Sequence, residues 1–193
     1  MKKILFLVVL LVCSQALLFS QDTTAHKSIF FIRPYIENGV NFIQDEELQE
    51  LYETKSMFYL GLGVQIGHPQ VSKVIPFIQY SGSDCKSDNF IDRDDQDSRK
   101  LEIEQILLGA IFPMIKSNEM YYNLKFAYCF SRIKETAHDI SDIAQGMVMG
   151  ISIEKSLFGH SRIFADLSYC FQQIDSLSLK DFNTVTLSVG FIY

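Results

Sequence analysis

Chemistry needs side chains that can hold a proton, a metal or a charge, and this 193-residue sequence offers them in three places. The first is the acidic stretch CKSDNFIDRDDQDS, where Asp88, Asp92, Asp94, Asp95 and Asp97 supply the hard carboxylate oxygens that calcium takes. Their spacing does not suit a calcium hand: counted from Asp92, the sixth position is Asp97 instead of glycine and the twelfth is Ile103 instead of glutamate. The stretch reads as a solvated, negatively charged loop, and neither a metal nor a cofactor is assigned to it. The second place is KETAHDISD, which sets His138 beside Asp139, Ser141 and Asp142. Histidine, hydroxyl and acid are the parts of a nucleophilic triad, but adjacency along a loop does not preorganise them. No catalytic residue is assigned, and the chain is read as no enzyme. The third place is a scatter of single charges, Arg33, Glu37, Glu102, Glu104, Lys125, Arg132, Glu154, Arg162 and Asp166, set in segments that otherwise alternate apolar with small or polar residues.

Those segments decide what the charges do. In YYNLKFAYCFSR, Tyr122, Leu124, Phe126, Tyr128 and Phe130 share one parity, and Asn123, Lys125, Ala127, Cys129 and Ser131 the other. A strand sends successive side chains to opposite faces, so this segment has one greasy face and one small, polar face. SMFYLGLGVQIG, IFFIRPYIENGVNF, GMVMGISIE, RIFADLSYCFQ and the terminal TVTLSVGFIY repeat the pattern. VIPFIQYSG carries Pro76, which cannot donate to a ladder and predicts a bulge or a strand end. RKLEIEQILLGAIF alternates at first and then turns apolar on both sides.

The count is eight strands, near 28–42, 56–67, 73–83, 99–112, 121–132, 143–155, 161–172 and 182–193. Long polar connections (43–55, 84–98, 133–142 and 173–181) alternate with short ones at HPQVS, PMIKSNEM and SLFGH. Long loops on one side, short turns on the other and an even strand number describe a barrel spanning a membrane. Closure follows from energetics: within lipid every backbone N–H and C=O must be paired inside the protein, which a sheet achieves only without edges. The last strand must therefore seal against the first. A soluble eight-stranded carrier is the rival fold, but it would need its greasy face inside.

The start of the sequence agrees. MKKILFLVVLLVCSQALLFSQ has two lysines, an apolar run from Ile4 to Val12 and then small and polar residues, the layout of a cleavable secretory signal. The run falls short of the roughly 20 residues a spanning helix needs. Residues 1–20 are read as the signal peptide and 21–193 as one barrel domain. Removing two of the 17 basic residues and none of the 23 acidic ones leaves a mature charge of −8, which argues against nucleic acid as a partner. Three cysteines then remain, so no complete disulfide framework exists, and Cys129 and Cys170 are expected to be small inward fillers held apart by an intervening strand.

The signal, the first strand FIRPYIENG, the glycine-rich FYLGLGVQIG, LEIEQILLG and the ending LSVGFIY together resemble the small eight-stranded outer-membrane β-barrels, the porin-like barrel-domain family of Gram-negative bacteria. The resemblance implies an all-β, single antiparallel up-and-down transmembrane barrel in the cell outer membrane, in contact with outer-membrane lipid and lipopolysaccharide. It implies that Val189, Phe191 and Tyr193 form the signal read by the barrel-assembly machinery. A monomer is expected. An eight-stranded barrel encloses little more than its own side chains, so the nine charges are expected to form a luminal ion-pair network and the protein to serve a structural or surface-interaction role. The alternative is a narrow porin-like channel for small solutes, with a lipid A-modifying enzyme or a periplasmic lipid carrier behind it.

Overall fold

The computed structural model describes residues 31–44, 55–67, 73–86, 100–135, 140–157, 161–174 and 181–193, with Glu46 and Gln49 besides. The signal region, His138 and the acidic loop beyond Lys86 lie outside the described residues. Eight strands follow one another: β1 (Phe31–Ile43), β2 (Ser56–Gly67), β3 (Ile75–Lys86), β4 (Lys100–Ser117), β5 (Met120–Glu135), β6 (Ile140–Ser156), β7 (Arg162–Ile174) and β8 (Asp181–Ile192). Each pairs antiparallel with its neighbour in sequence, and β8 closes on β1. The seam is secured at both ends by Tyr193 N–H donating to the Pro34 carbonyl at 3.0 Å and Gln44 N–H to the Asn183 carbonyl at 2.9 Å. The terminal strand therefore does what its pattern required, leaving no open edge to lipid.

The register sets the barrel's shape. From Tyr35, the partners run through Gly63, Gln79, Leu107, Cys129, Gly146, Gln172 and Phe182. Because Ile43 faces Thr184, Phe182 comes level with the position two past Ile43, ten residues beyond the starting Tyr35. A shear of ten over eight strands tilts them by about 40° for ordinary strand rise and spacing. Each residue then contributes roughly 2.5 Å of barrel height.

Outward side chains form an apolar band around the wall. It includes Ile36, Leu60, Ile78, Ile106, Leu108, Phe126, Phe130, Met147, Met149, Ile151, Leu167, Phe171, Leu187 and Val189, all exposed. Traced along the register, the band is about 25 Å tall, the height of the lipid-facing belt of a membrane barrel. Tyr122 and Tyr193 stand at its lower rim. Tyr121 does not join them: it turns to the lower mouth, where the Arg162 guanidinium lies 4.4 Å from its ring.

Two local expectations change. PMIKSNEM is mostly strand, with a register shift between Pro113 and Ile115 and a tight turn in which Asn118 (φ 46°) and Glu119 (φ 67°) both take left-handed conformations. That is the geometry matched to the twist of a two-residue hairpin. The connections predicted at 84–98 and 133–142 are shortened, because β3 reaches Lys86, β5 reaches Glu135 and β6 begins at Ile140. These strands rise past the apolar band. Pro76 stands second in β3, the strand-end position open to it.

Candidate functional site

The inward parity of all eight strands converges on the lumen, which is filled in layers. At the lower mouth the Arg33 guanidinium stacks 4.0 Å over Phe31, and Arg162 Nη1 donates to Glu154 Oε2 at 2.9 Å. Asn123 Nδ2 donates to Glu154 Oε1 at 2.8 Å, so both carboxylate oxygens are engaged. Above lies an ion pair, Lys125 Nζ to Asp166 Oδ2 at 3.6 Å, with both side chains buried beside Phe77. Tyr35 and Phe164 meet edge to face at 5.9 Å on the same level and belong to an apolar cluster with Ile75, Leu107, Val148 and Ile192.

The next layer is polar and is organised by Glu37. Its Oε1 accepts from the Tyr59 hydroxyl and, at 2.8 Å, from Gln79 Nε2, while Oε2 accepts from Ser188 Oγ at 3.5 Å. Gln79 Oε1 in turn accepts from the Tyr35 hydroxyl at 2.8 Å. Strand β2 makes room for these long side chains. A Cβ on Gly63 would stand 2.3 Å from Tyr35 Cζ, and one on Gly61 2.9 Å from Glu37 Cγ. The glycines are thus the spatial complement of the tyrosine and the glutamate. Higher still, Asn41 Nδ2 donates to Ser83 Oγ at 2.6 Å and Thr186 Oγ1 donates to Asn41 Oδ1 at 2.5 Å. Gln172 Nε2 approaches Ser131 Oγ at 2.7 Å and the sulfurs of Cys129 and Cys170 at 3.0 Å each. Both thiols are free and buried, the amide between them.

The outer end is closed by apolar side chains: Ile43, Met57, Leu101, Ile103, Ile133, Ala144 and Phe182 form one buried cluster. This overturns part of the sequence reading. Arg33, Glu37, Lys125, Glu154, Arg162 and Asp166 do point inward, but Glu102, Glu104 and Arg132 lie on the outer surface. In β4 the inward residues are Leu101, Ile103, Gln105 and Leu107, all buried. Glu102 bonds Lys100 at 2.5 Å, Glu104 lies 4.0 Å from Lys134, and Arg132 Nε donates to Ser141 Oγ at 3.3 Å. For Glu102 and Glu104 the cause is height: above the lipid band the wall meets water outside, so charge is accommodated there and the lumen takes the hydrocarbon, whereas Arg132 keeps the outward parity of Tyr128 and Phe130. Equating apolar with outward is valid only within the band.

The neutral members of the network, Tyr35, Asn41, Tyr59, Gln79, Asn123 and Gln172, were not assigned from sequence. The parity of Tyr35, Asn41, Tyr59, Asn123 and Gln172 placed them inside, while Gln79 lies in a segment to which no faces were assigned; the signal that could have singled them out is facing: Gly63 stands opposite Tyr35 and Gly61 opposite Glu37 across β1 and β2. Among the described residues no cluster of three or more His, Cys, Asp or Glu side chains could hold a metal.

No protein-family model and no curated protein matches the chain. Solved structures do. Neisserial surface protein A (NspA) aligns over 86% of this chain and 96% of its own, at 12% identity and a TM-score of 0.55. Ail, the attachment invasion locus protein of Yersinia pestis, solved with the heparin analogue sucrose octasulfate, aligns over 84% of this chain and 99% of its own, at 10% identity and a TM-score of 0.51. At such identities the likeness is one of fold. With a closed wall, an apolar exterior of bilayer height and charges held within, the chain has the fold of the small eight-stranded outer-membrane β-barrels.

Proposed function

We propose that the protein is a sealed outer-membrane barrel that works through its outer rim as a surface-interaction protein and conducts no solutes. The observation that carries this reading is the closure of the lumen: Phe182, Ile43, Met57, Leu101 and Ile103, each at most 2% exposed, cover a polar layer whose side chains are bonded to one another. A solute path would have to break the Glu37–Gln79–Tyr35 chain and part the apolar cap together. The alternating faces of β8 support recognition of Val189, Phe191 and Tyr193 by the assembly machinery, since all three stand outward and accessible. The apolar run at the start of the chain supports removal of residues 1–20 on export.

Among the described residues the outer rim pairs its charges: Lys100 lies between Asp84 at 3.5 Å and Glu102, and Lys134 faces Glu104. With a mature charge of −8, the partner class favoured is a neutral or cationic surface, unlike the polyanion bound to the Yersinia protein. The test is planar-bilayer recording of the refolded full chain, whose folded state is verified by faster gel migration without boiling. Absence of conductance steps is the expected result. Steps that vanish with Glu37→Leu would replace this reading with a channel.

A further inference from the structure

The two ends of the lumen differ in how their charges are paired. At the outer end Lys100 and Lys134 each stand against a carboxylate. At the lower mouth three cations are held on two aromatic rings: the Arg33 guanidinium lies 4.0 Å from the Phe31 ring, and Arg162 and Lys116 lie 4.4 and 5.2 Å from the ring of Tyr121. Among the described residues Glu154 is the carboxylate inside this mouth, and both its oxygens are engaged: Oε2 accepts from Arg162 at 2.9 Å and Oε1 from Asn123 at 2.8 Å. Arg33 has no hydrogen-bond or ion-pair partner among the described residues, and it feels the like charge of Arg162 more than the opposite charge of Glu154. Of the other charges described at this end, Glu119 and Lys155 are exposed and of opposite sign, and Lys73 adds a further cation.

The strands build this arrangement. Phe31 faces Gly67 across β1 and β2, and a Cβ on Gly67 would stand 2.3 Å from Phe31 Cζ, so the ring that backs Arg33 fills the place of a missing side chain. Arg162 is fixed by its bond to Glu154, the two side chains being 17% and 6% exposed. A ring takes a guanidinium by its face and leaves the N–H edge free for an acceptor. Two guanidinia held within reach of one another repel until an anion joins them, and the fork of each matches two oxygens of a phosphate. Charge selects the anion. Three cations against one carboxylate leave two positive charges at the mouth, which a phosphate monoester, carrying about −1.5 to −2 at neutral pH, neutralises and a single carboxylate does not.

We propose that the lower mouth is a binding site for a phosphate dianion, free or as a monoester, with Arg33 and Arg162 as its forks and Lys116 as the third cation. The tight β4–β5 turn lies at this end, and in an outer-membrane barrel the short turns face the periplasm, so the ligand is drawn from there. A membrane phospholipid fits poorly: its phosphate is a diester with a single charge, and Arg33 and Arg162 share the inward parity, away from lipid. The site is remote from the outer rim and does not require the lumen to conduct.

The test is calorimetric titration of the refolded full chain in uncharged alkyl-maltoside micelles, which leave both mouths accessible, in a low-salt buffer without phosphate. Inorganic phosphate, glycerol 3-phosphate, dimethyl phosphate and acetate are the probes, and unboiled gel mobility shows that each variant is folded. Phosphate or glycerol 3-phosphate should bind once per chain, and dimethyl phosphate and acetate at least about tenfold more weakly. Tighter binding of phosphate identifies the free ion as the ligand, and tighter binding of glycerol 3-phosphate an ester. Arg33→Gln should weaken either by about tenfold or more, while Lys134→Gln, at the opposite end, should leave both unchanged. Phosphate should also raise the urea midpoint of the wild type and not that of Arg33→Gln. Absence of binding, equal binding of monoester and diester, wild-type binding by Arg33→Gln, or an equal loss in Lys134→Gln would each overturn the proposal.

Discussion

The Lys125–Asp166 pair offers the sharpest measure of what the lumen contributes. The charges are 3.6 Å apart, and their side chains are only 6% and 2% exposed. At an effective dielectric near 20, that separation corresponds to about 4–5 kcal/mol of attraction, largely offset by the desolvation of both groups. Lys125→Met removes the attraction and leaves the desolvation of Asp166, whose Oδ1 already has no hydrogen-bond partner among the described residues. The expected loss is about 3–5 kcal/mol. Replacing both residues, Lys125→Met with Asp166→Leu, removes both desolvation penalties and should return stability to within about 1 kcal/mol of wild type or above it. The assay is equilibrium urea unfolding in lipid vesicles, followed by far-ultraviolet circular dichroism and unboiled gel mobility, because the chain has no tryptophan. The double variant closes a mutant cycle with Asp166→Leu. If Lys125→Met costs less than about 1 kcal/mol, or if the double variant loses the sum of the two single ones, the pair is not an isolated buried ion pair and the reasoning fails.

Other outcomes follow from the same geometry. Gly63→Ala should cost about 1–3 kcal/mol in the same titration, since its Cβ would collide with the Tyr35 ring, while Gly82→Ala, in open space, should change stability by no more than about 0.5 kcal/mol. Glu154→Leu strands Arg162 and Asn123 and should cost about 3 kcal/mol; Glu104→Leu, on the water-facing rim, should cost under about 1 kcal/mol, and equal losses would reverse the assignment of inside and outside. Glu119→Gly relieves a positive φ in the β4–β5 turn and should raise the unfolding midpoint by an amount equivalent to about 0.5–1 kcal/mol; a fall would mean that the Glu119 side chain has a contact worth more than the relief.

The likeness to NspA and Ail belongs to the wall and stops there. Aligned positions agree at 12% and 10%, while nearly the whole length of each protein is covered. Such divergence is expected where the selective demand is only that alternate residues be apolar, a condition many sequences meet.

Alternation with a period of two, read off segments such as YYNLKFAYCFSR and TVTLSVGFIY, determined the strands, their number, the greasy exterior and the need for closure, because a strand's geometry ties parity to face without reference to anything distant. It also placed Arg33, Glu37, Lys125, Glu154, Arg162 and Asp166 correctly, each sitting opposite an apolar set within the band. What the sequence could not hold was height. Whether Leu101 or Glu102 faces inward depends on whether that part of β4 stands in lipid or above it, and this follows from a shear of ten accumulated over eight pairings. Only the closed barrel decided it, placing the outer ends of β3–β6 in water, so that Glu102 and Glu104 turned outward and Leu101, Ile103 and Phe182 became the cap; Arg132 follows the outward parity of Phe130. The partners across the lumen, Tyr35 with Gln79, Lys125 with Asp166 and Glu154 with Arg162, likewise come from strands brought together by closure, and no local pattern records them.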